Sequence, residues 1–123
     1  YGLSYTQFEY GELSLDKEVI NNTEFLTASI TVTNKGTVDG KEIVQLYLRD
    51  VVGSVTRPLK ELKGYEKVFL KKGEKKRVSV VLDEDAFSFY DMNQHRFVVE
   101  KGDFEILVGP ASSQLPLKAM VEL

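Results

Sequence analysis

The residues able to do chemistry are few, and their spacing argues against catalysis. His95 is the only histidine. It follows the turn pair Asn93-Gln94, and a general base needs an oriented partner that nothing near it supplies. Asp83, Glu84 and Asp85 are consecutive, whereas hard cations take spaced oxygen ligands such as those of a D-x-D-x-D loop. They read as a solvated turn. Lys71, Lys72, Lys75, Lys76 and Arg77 flank Gly73-Glu74 with no interleaved aromatic residue, which fits a solvated hairpin tip and not a nucleic-acid surface. The chain has 19 acidic residues, so a pair of carboxylates for glycoside cleavage is not ruled out by number. None of them, however, sits among the polar and aromatic neighbours that would line a sugar cleft. There is no cysteine, which excludes disulfides and thiolate metal sites. The residues therefore assign no catalytic group, no metal ligand and no cofactor.

Aromatic residues are the remaining candidates. Six tyrosines and seven phenylalanines are more than one small core needs, and Tyr47, Phe89 and Tyr90 are expected on outer faces. Exposed aromatic rings either stack on sugars or dock on another protein surface.

The elements that must position these groups are all extended. In Glu42–Asp50, Val44, Leu46 and Leu48 point one way and Ile43, Gln45, Tyr47 and Arg49 the other. The second set is mixed, which predicts a mid-sheet strand covered in part on both sides. Phe8, Tyr10, Leu13 and Leu15 form a first strand broken at Gly11, where a bulge or kink is expected. Asp16 to Glu24 is polar, with Asn21-Asn22 as its turn. Leu26, Ala28, Ile30 and Val32 alternate with four hydroxyl residues predicted to face out. Asn34-Lys35-Gly36 and Asp39-Gly40 mark the connection into the Glu42 strand. Beyond Arg57-Pro58, the stretch Leu59–Leu70 is interrupted at Gly64, with Tyr65, Val68 and Leu70 expected in the core. Val78, Val80 and Leu82 form another inward set. Ala86–Tyr90 is a strand or one helical turn, Phe97–Glu100 a strand, and Phe104, Ile106 and Val108 a further inward set. Leu117, Ala119 and Val121 alternate in the last strand. No helical period appears. Seven or eight short strands with regular turns predict an all-β fold, a two-sheet antiparallel β-sandwich.

A chain of 123 residues suits one domain with one core. With a net charge of −3 and scattered lysines it is not built for nucleic acid or an anionic membrane surface. No apolar run approaches the roughly 18 residues of a spanning helix. Tyr1–Thr6 has no hydrophobic period and reads as a leader continuing from a preceding domain, so the domain proper is expected over 7–123.

Several motifs in order carry a family resemblance. Tyr1-Gly2-Leu3-Ser4-Tyr5-Thr6 before Phe8 is followed by Asn34-x-Gly36-x3-Gly40-Lys41-Glu42-Ile43-Val44-Gln45-Leu46-Tyr47. Then come Arg57-Pro58-x-Lys60-Glu61-Leu62-Lys63-Gly64-Tyr65-x-Lys67-Val68, Gly73-Glu74 and Tyr90-Asp91. Val99-Glu100-x-Gly102-x-Phe104 and Val108-Gly109, with Ser112-Ser113 after Ala111, complete the set. Together these resemble the C-terminal domain of glycoside hydrolase family 3 enzymes, chiefly β-glucosidases, nearly end to end. The resemblance implies a fibronectin type III-like, immunoglobulin-like sandwich, in agreement with the strand count. Phe97, Gln114 and Lys72 depart from the tryptophan, aspartate and proline common at those places in the family, as surface or packing changes. The family's nucleophile is an aspartate in a Ser-Asp-Trp type motif of a separate barrel, and this chain has no tryptophan, so the resemblance carries no catalytic residue onto it. It implies an accessory domain of a parent that hydrolyses terminal β-glycosidic bonds. That parent is expected to be secreted or periplasmic, with a cytoplasmic site also compatible.

Three functions are then open. A docking module would pack on the catalytic domains of the same parent chain and stabilise them, using Tyr1, Leu3 and Tyr5 of the leader with Ile43, Gln45, Tyr47 and Arg49. A carbohydrate-binding module would hold polysaccharide on a row of exposed aromatic rings, and no single strand shows such a row. A generic protein-binding sandwich would place its function in loops, and these loops carry ordinary turn chemistry. The mixed face of the Glu42 strand favours docking.

Overall fold

Val44, Leu46 and Leu48 are fully buried, and the strand that carries them is bonded along both of its edges. The structure is a computed structural model that describes residues 7–20, 25–52, 55–56, 60–83, 88–91, 95–99 and 102–122. Within them the strands are β1 Phe8–Leu15, β2 Leu26–Asn34, β3 Gly40–Val52, β4 Val55–Thr56, β5 Glu61–Leu70, β6 Lys75–Leu82, β7 Ser88–Asp91, β8 Arg96–Val99, β9 Asp103–Gly109 and β10 Leu117–Glu122.

One sheet has the order β1-β2-β6. The other runs β10-β9-β3, with β5 and the two-residue β4 both paired to β3. Every ladder is antiparallel. The seven strands of six residues or more build these two sheets, as the turn spacing predicts, and β7 with β8 forms a separate short hairpin.

The inner faces supply one core. Leu26, Ala28, Ile30 and Val32 of β2 and Val78, Val80 and Leu82 of β6 meet Val44, Leu46 and Leu48 of β3 and Phe104, Ile106 and Val108 of β9. These are the expected inward sets, spaced by two because a strand turns alternate side chains to opposite faces. Phe8, Tyr10, Leu13 and Leu15 pack against this core. The β1–β2 register shifts between Gly11 and Ser14, and Glu12 takes a left-handed φ of 53°. The expected break at Gly11 is thus a bulge centred one residue later.

Three expectations need correction. Tyr65 is 60% exposed and lies on the outer face, while Val68 and Leu70 of the same strand pack inward. Positions 68 and 70 share a parity that 65 lacks, so one strand could not bury all three. Ile20, within a stretch that reads as polar, is buried and joins the core. The hydroxyl face of β2 is partly covered, with Thr31 only 8% exposed. Arg77 lies across it, donating from Nη1 to Thr31 Oγ1 at 2.9 Å and to the Glu12 carbonyl at 2.6 Å, and from Nη2 to Ser14 Oγ at 2.6 Å. Part of the basic run therefore clamps the β1 bulge and does not simply face water.

At one end of the sandwich the chain crosses between sheets twice, through 35–39 and through 71–74. Asn34, fully buried, ties the crossings together. Its Nδ2 donates to Val38 O at 2.9 Å and Leu70 O at 3.1 Å, and its Oδ1 accepts from Gly36 N at 2.9 Å. Its backbone bonds to Glu74 O and Gly73 N, and Lys72 N donates to Asp39 Oδ1 at 2.8 Å. Gly73, at φ 79°, supplies the left-handed turn that this needs.

Candidate functional site

Alternation along β3 turns Ile43, Gln45, Tyr47 and Arg49 outward, and register extends that face across the sheet. Opposite Ile43, Gln45 and Tyr47 on β5 stand Lys67, Tyr65 and Leu62. Leu107 and Glu105 of β9 stand opposite Tyr47 and Arg49, and Met120 of β10 opposite Glu105. Directly opposed residues share a face, so these side chains form one surface. On it Ile43, Leu62, Tyr65, Phe69 and Met120 are 42%, 49%, 60%, 44% and 50% exposed. The outer face of the β1-β2-β6 sheet differs. It carries Thr27, Ser29, Thr31 and Thr33 beside Lys75, Arg77 and Ser79, with Val81 as its exposed apolar residue and a Ser29–Ser79 hydroxyl contact of 3.0 Å.

Polar groups at the centre of the apolar face are held in place. Tyr47 donates its hydroxyl proton to Gln45 Oε1 at 2.7 Å, and Gln45 Nε2 donates to Pro110 O at 3.1 Å. Arg49 Nη2 is paired with Glu105 Oε1, while Arg49 Nε is buried with no acceptor among the described residues. The four predicted β3 residues are thus together on one surface. Tyr1, Leu3 and Tyr5 lie outside the described residues, and so do the side chains of Phe89 and Tyr90.

Sequence reasoning missed Tyr65, Leu62, Phe69 and Met120. The signal for Tyr65 was the parity conflict with Val68. For Leu62 it was Gly64, where the β3–β5 register shifts between Leu46 and Tyr47 and one residue of β5 is skipped. A Cβ on Gly64 would lie 2.7 Å from Val80 Cγ1, so β5 approaches the facing sheet closely there.

Two open clefts flank this region. One of about 540 Å³ is lined by Lys41, Glu42, Ile43, Lys67, Val68 and Phe69. The other, about 550 Å³, lies between β1 and the 110–116 connection and is lined by Phe8, Glu9, Tyr10, Pro110, Gln114, Leu115 and Pro116. Each has one carboxylate, and glycoside cleavage by an acid and a nucleophile needs two across the bond. His95 is exposed, in a turn with φ 55°. Among the described residues no group of acidic, histidine or cysteine side chains could hold a metal ion, and no helix is long and apolar enough to cross a membrane.

Among the described residues, Glu42 and Tyr10 are the perturbed ionisable groups. Burial raises the Glu42 carboxyl, and its contacts with the Tyr10 side chain and the Ile43 amide pull it back only in part. Burial, and then the Glu42 charge, raise Tyr10 far above the ordinary phenol range. The Tyr10 hydroxyl has no acceptor at full hydrogen-bond distance, so the pair is an electrostatic neighbourhood and not a tight bond. A carboxyl raised in the folded state binds protons more readily there than in the unfolded chain. Its contribution to stability is greatest below the unfolded value of 4.5 and declines as pH rises through the folded one. Glu42→Gln is therefore expected to raise the denaturation midpoint at neutral pH and to flatten its decline above pH 4.5. Urea titrations of both proteins across that range check it, and identical slopes would sink it.

Comparison with known proteins places these features in a longer context. Residues 42–112 match the family model described as fibronectin type III-like domain. The thermostable β-glucosidase B of Acetivibrio thermocellus is 48% identical over 123 residues, covering 100% of this chain and 16% of its own length. A β-glucosidase structure from Erythrobacter marinus superposes with a TM-score of 0.86 at 36% identity, over 100% of this chain and 16% of that one. A GH3 β-glucosidase from Bifidobacterium adolescentis gives 0.83 at 36%, over 100% and 18%. The chain spans about one sixth of the length of the relatives it matches.

Proposed function

Because the chain belongs to the fibronectin type III-like domain family, and its relatives carry that domain within much longer β-glucosidases, we propose that it is a non-catalytic accessory domain of a family 3 glycoside hydrolase. Its parent hydrolyses terminal β-glycosidic bonds, and the domain packs on the catalytic domains of the same polypeptide and stabilises them. The observation that carries this reading is the asymmetry of the two outer faces. One is hydroxyl-lined and clamped by Arg77. The other bears Ile43, Leu62, Tyr65, Phe69 and Met120, all large, apolar and over 40% exposed. Exposed apolar side chains grouped on one sheet face in this way fit a contact with another protein surface.

Tyr65→Ser tests it. In the full-length protein the substitution is expected to lower the apparent Tm, and in the 123-residue chain to change it far less, because Tyr65 is 60% exposed there. Equal stability of both full-length proteins would refute docking through this face.

One observation favours a second reading. Tyr65 and Phe69 lie on the same face of β5 four residues apart, or roughly 13 Å at the rise of a strand, and such rings can stack on a polysaccharide. Affinity electrophoresis in soluble β-glucan separates the two. Retention that disappears with Tyr65→Ser, at unchanged full-length Tm, would favour the sugar-binding reading.

A further inference from the structure

The cleft at the β3–β5 end of the apolar face has a chemistry of its own. Ile43 and Phe69 line it on the outer face, and the exposed Lys41 and Lys67 line it beside them. Lys41 faces Phe69 and Lys67 faces Ile43 across the β3–β5 ladder, so the two ammonium groups flank the apolar patch on the same face. Neither has a hydrogen-bond or ion-pair partner among the described residues. The contrast is with Arg49 further along the same face, which is already paired with Glu105. The one carboxylate of the cleft, Glu42, lies on the opposite parity of β3, is raised by burial and bonds its oxygen to the Ile43 amide at 3.2 Å. It is therefore directed away from neutralising the lysines.

Resting on the docking reading above, we infer that this cleft receives an apolar side chain flanked by carboxylates, from a segment of the catalytic part of the same polypeptide. An apolar side chain would fill the space over Ile43 and Phe69, and Asp or Glu on either side would pair with Lys41 and Lys67. Charges placed in this way around an apolar anchor fix register and reject mismatched surfaces more than they add affinity. A neutral sugar polymer would leave both lysines without a partner, and a second copy of this face would set them against like charges.

The test uses the full-length protein with K41E/K67E, K41Q/K67Q and, separately, Tyr65→Ser. K41E/K67E is expected to lower the apparent Tm by about 3 °C or more, and more than K41Q/K67Q does. The difference between the two should shrink in about 0.5 M salt, where charges are screened within a few ångströms. The same double variants of the 123-residue chain should unfold like the parent sequence. If Tyr65→Ser lowers the full-length Tm while K41E/K67E leaves it unchanged or raises it, the face docks but its partner is not acidic, and this inference is wrong. If neither changes it, the docking reading fails as well. A change of oligomeric state on K41E/K67E would point to a second copy as the occupant and overturn the inference.

Discussion

Asn34→Ala is expected to lower the unfolding free energy by about 3–4 kcal/mol, since each buried polar group left without a partner costs about 1–3 kcal/mol. The side chain serves three backbone groups: the carbonyls of Val38 and Leu70 and the amide of Gly36. Leu70 is fully buried and the bond to its carbonyl is interior, so that acceptor would carry the full penalty. The other two lie where water can partly replace the amide, which keeps the total below the simple sum. Chemical denaturation should show a lower midpoint at unchanged m. Asn34→Asp refines the test, because it keeps an acceptor for Gly36 but aims a carboxylate at two carbonyl oxygens. Burial would raise that carboxyl in the folded state, so the folded form would bind more protons than the unfolded one. The variant should then regain stability as pH falls toward about 4. A loss below about 1 kcal/mol in the alanine variant would mean that the two crossings hold together without this side chain.

Gly109→Ala is expected to cost about 3 kcal/mol, the upper part of the range for overpacking. A Cβ at Gly109 would sit 2.1 Å from the Gln114 carbonyl oxygen and 2.8 Å from Leu115 Cα. Those are backbone atoms, held by the bond from Gln114 N to Ala111 O at 2.9 Å, so no rotamer change relieves the clash. The 110–116 connection would have to lift, taking with it the Pro110 carbonyl that accepts from Gln45. Gly11→Ala is the control, since nothing lies within 4 Å of a Cβ there. A Gly109→Ala variant as stable as the Gly11→Ala protein would show that the connection yields freely.

Most of the sandwich was legible because its inner faces obey the simplest rule of a strand. Val44-Leu46-Leu48 and Phe104-Ile106-Val108 are separated by two, and all six are buried. What escaped reading depends on partners distant in sequence. Ile20 looks like one apolar residue in a polar run, yet its amide bonds to Glu122 O at 2.9 Å, and that pairing carries it into the core. Asn34 reads as a turn former, and its burial follows only from the meeting of two crossings. The apolar outer face was legible in part. Its β3 row, and Tyr65 and Phe69 of β5, follow from alternation, but the outward turn of Leu62 depends on the register shift beside Gly64.

The bulge in β1 has a consequence for how this domain meets other chains. An unpaired strand edge invites another chain to add a strand, and that is a common route to aggregation. Here the outermost strands of the two larger sheets are interrupted, charged or partly covered. In β1 the Glu12 bulge interrupts the row of free amides and carbonyls, and in β5 the shift near Gly64 does the same. Along β6, Lys75 and Lys76 add cations. The C-terminal end of β10 is covered by residues 18–20, through bonds of 2.9 Å between Glu122 and both Glu18 and Ile20. Among the described residues each border of these two sheets thus carries a feature that discourages strand addition, while the exposed apolar side chains lie on a sheet surface, where contacts can be specific without being self-templating.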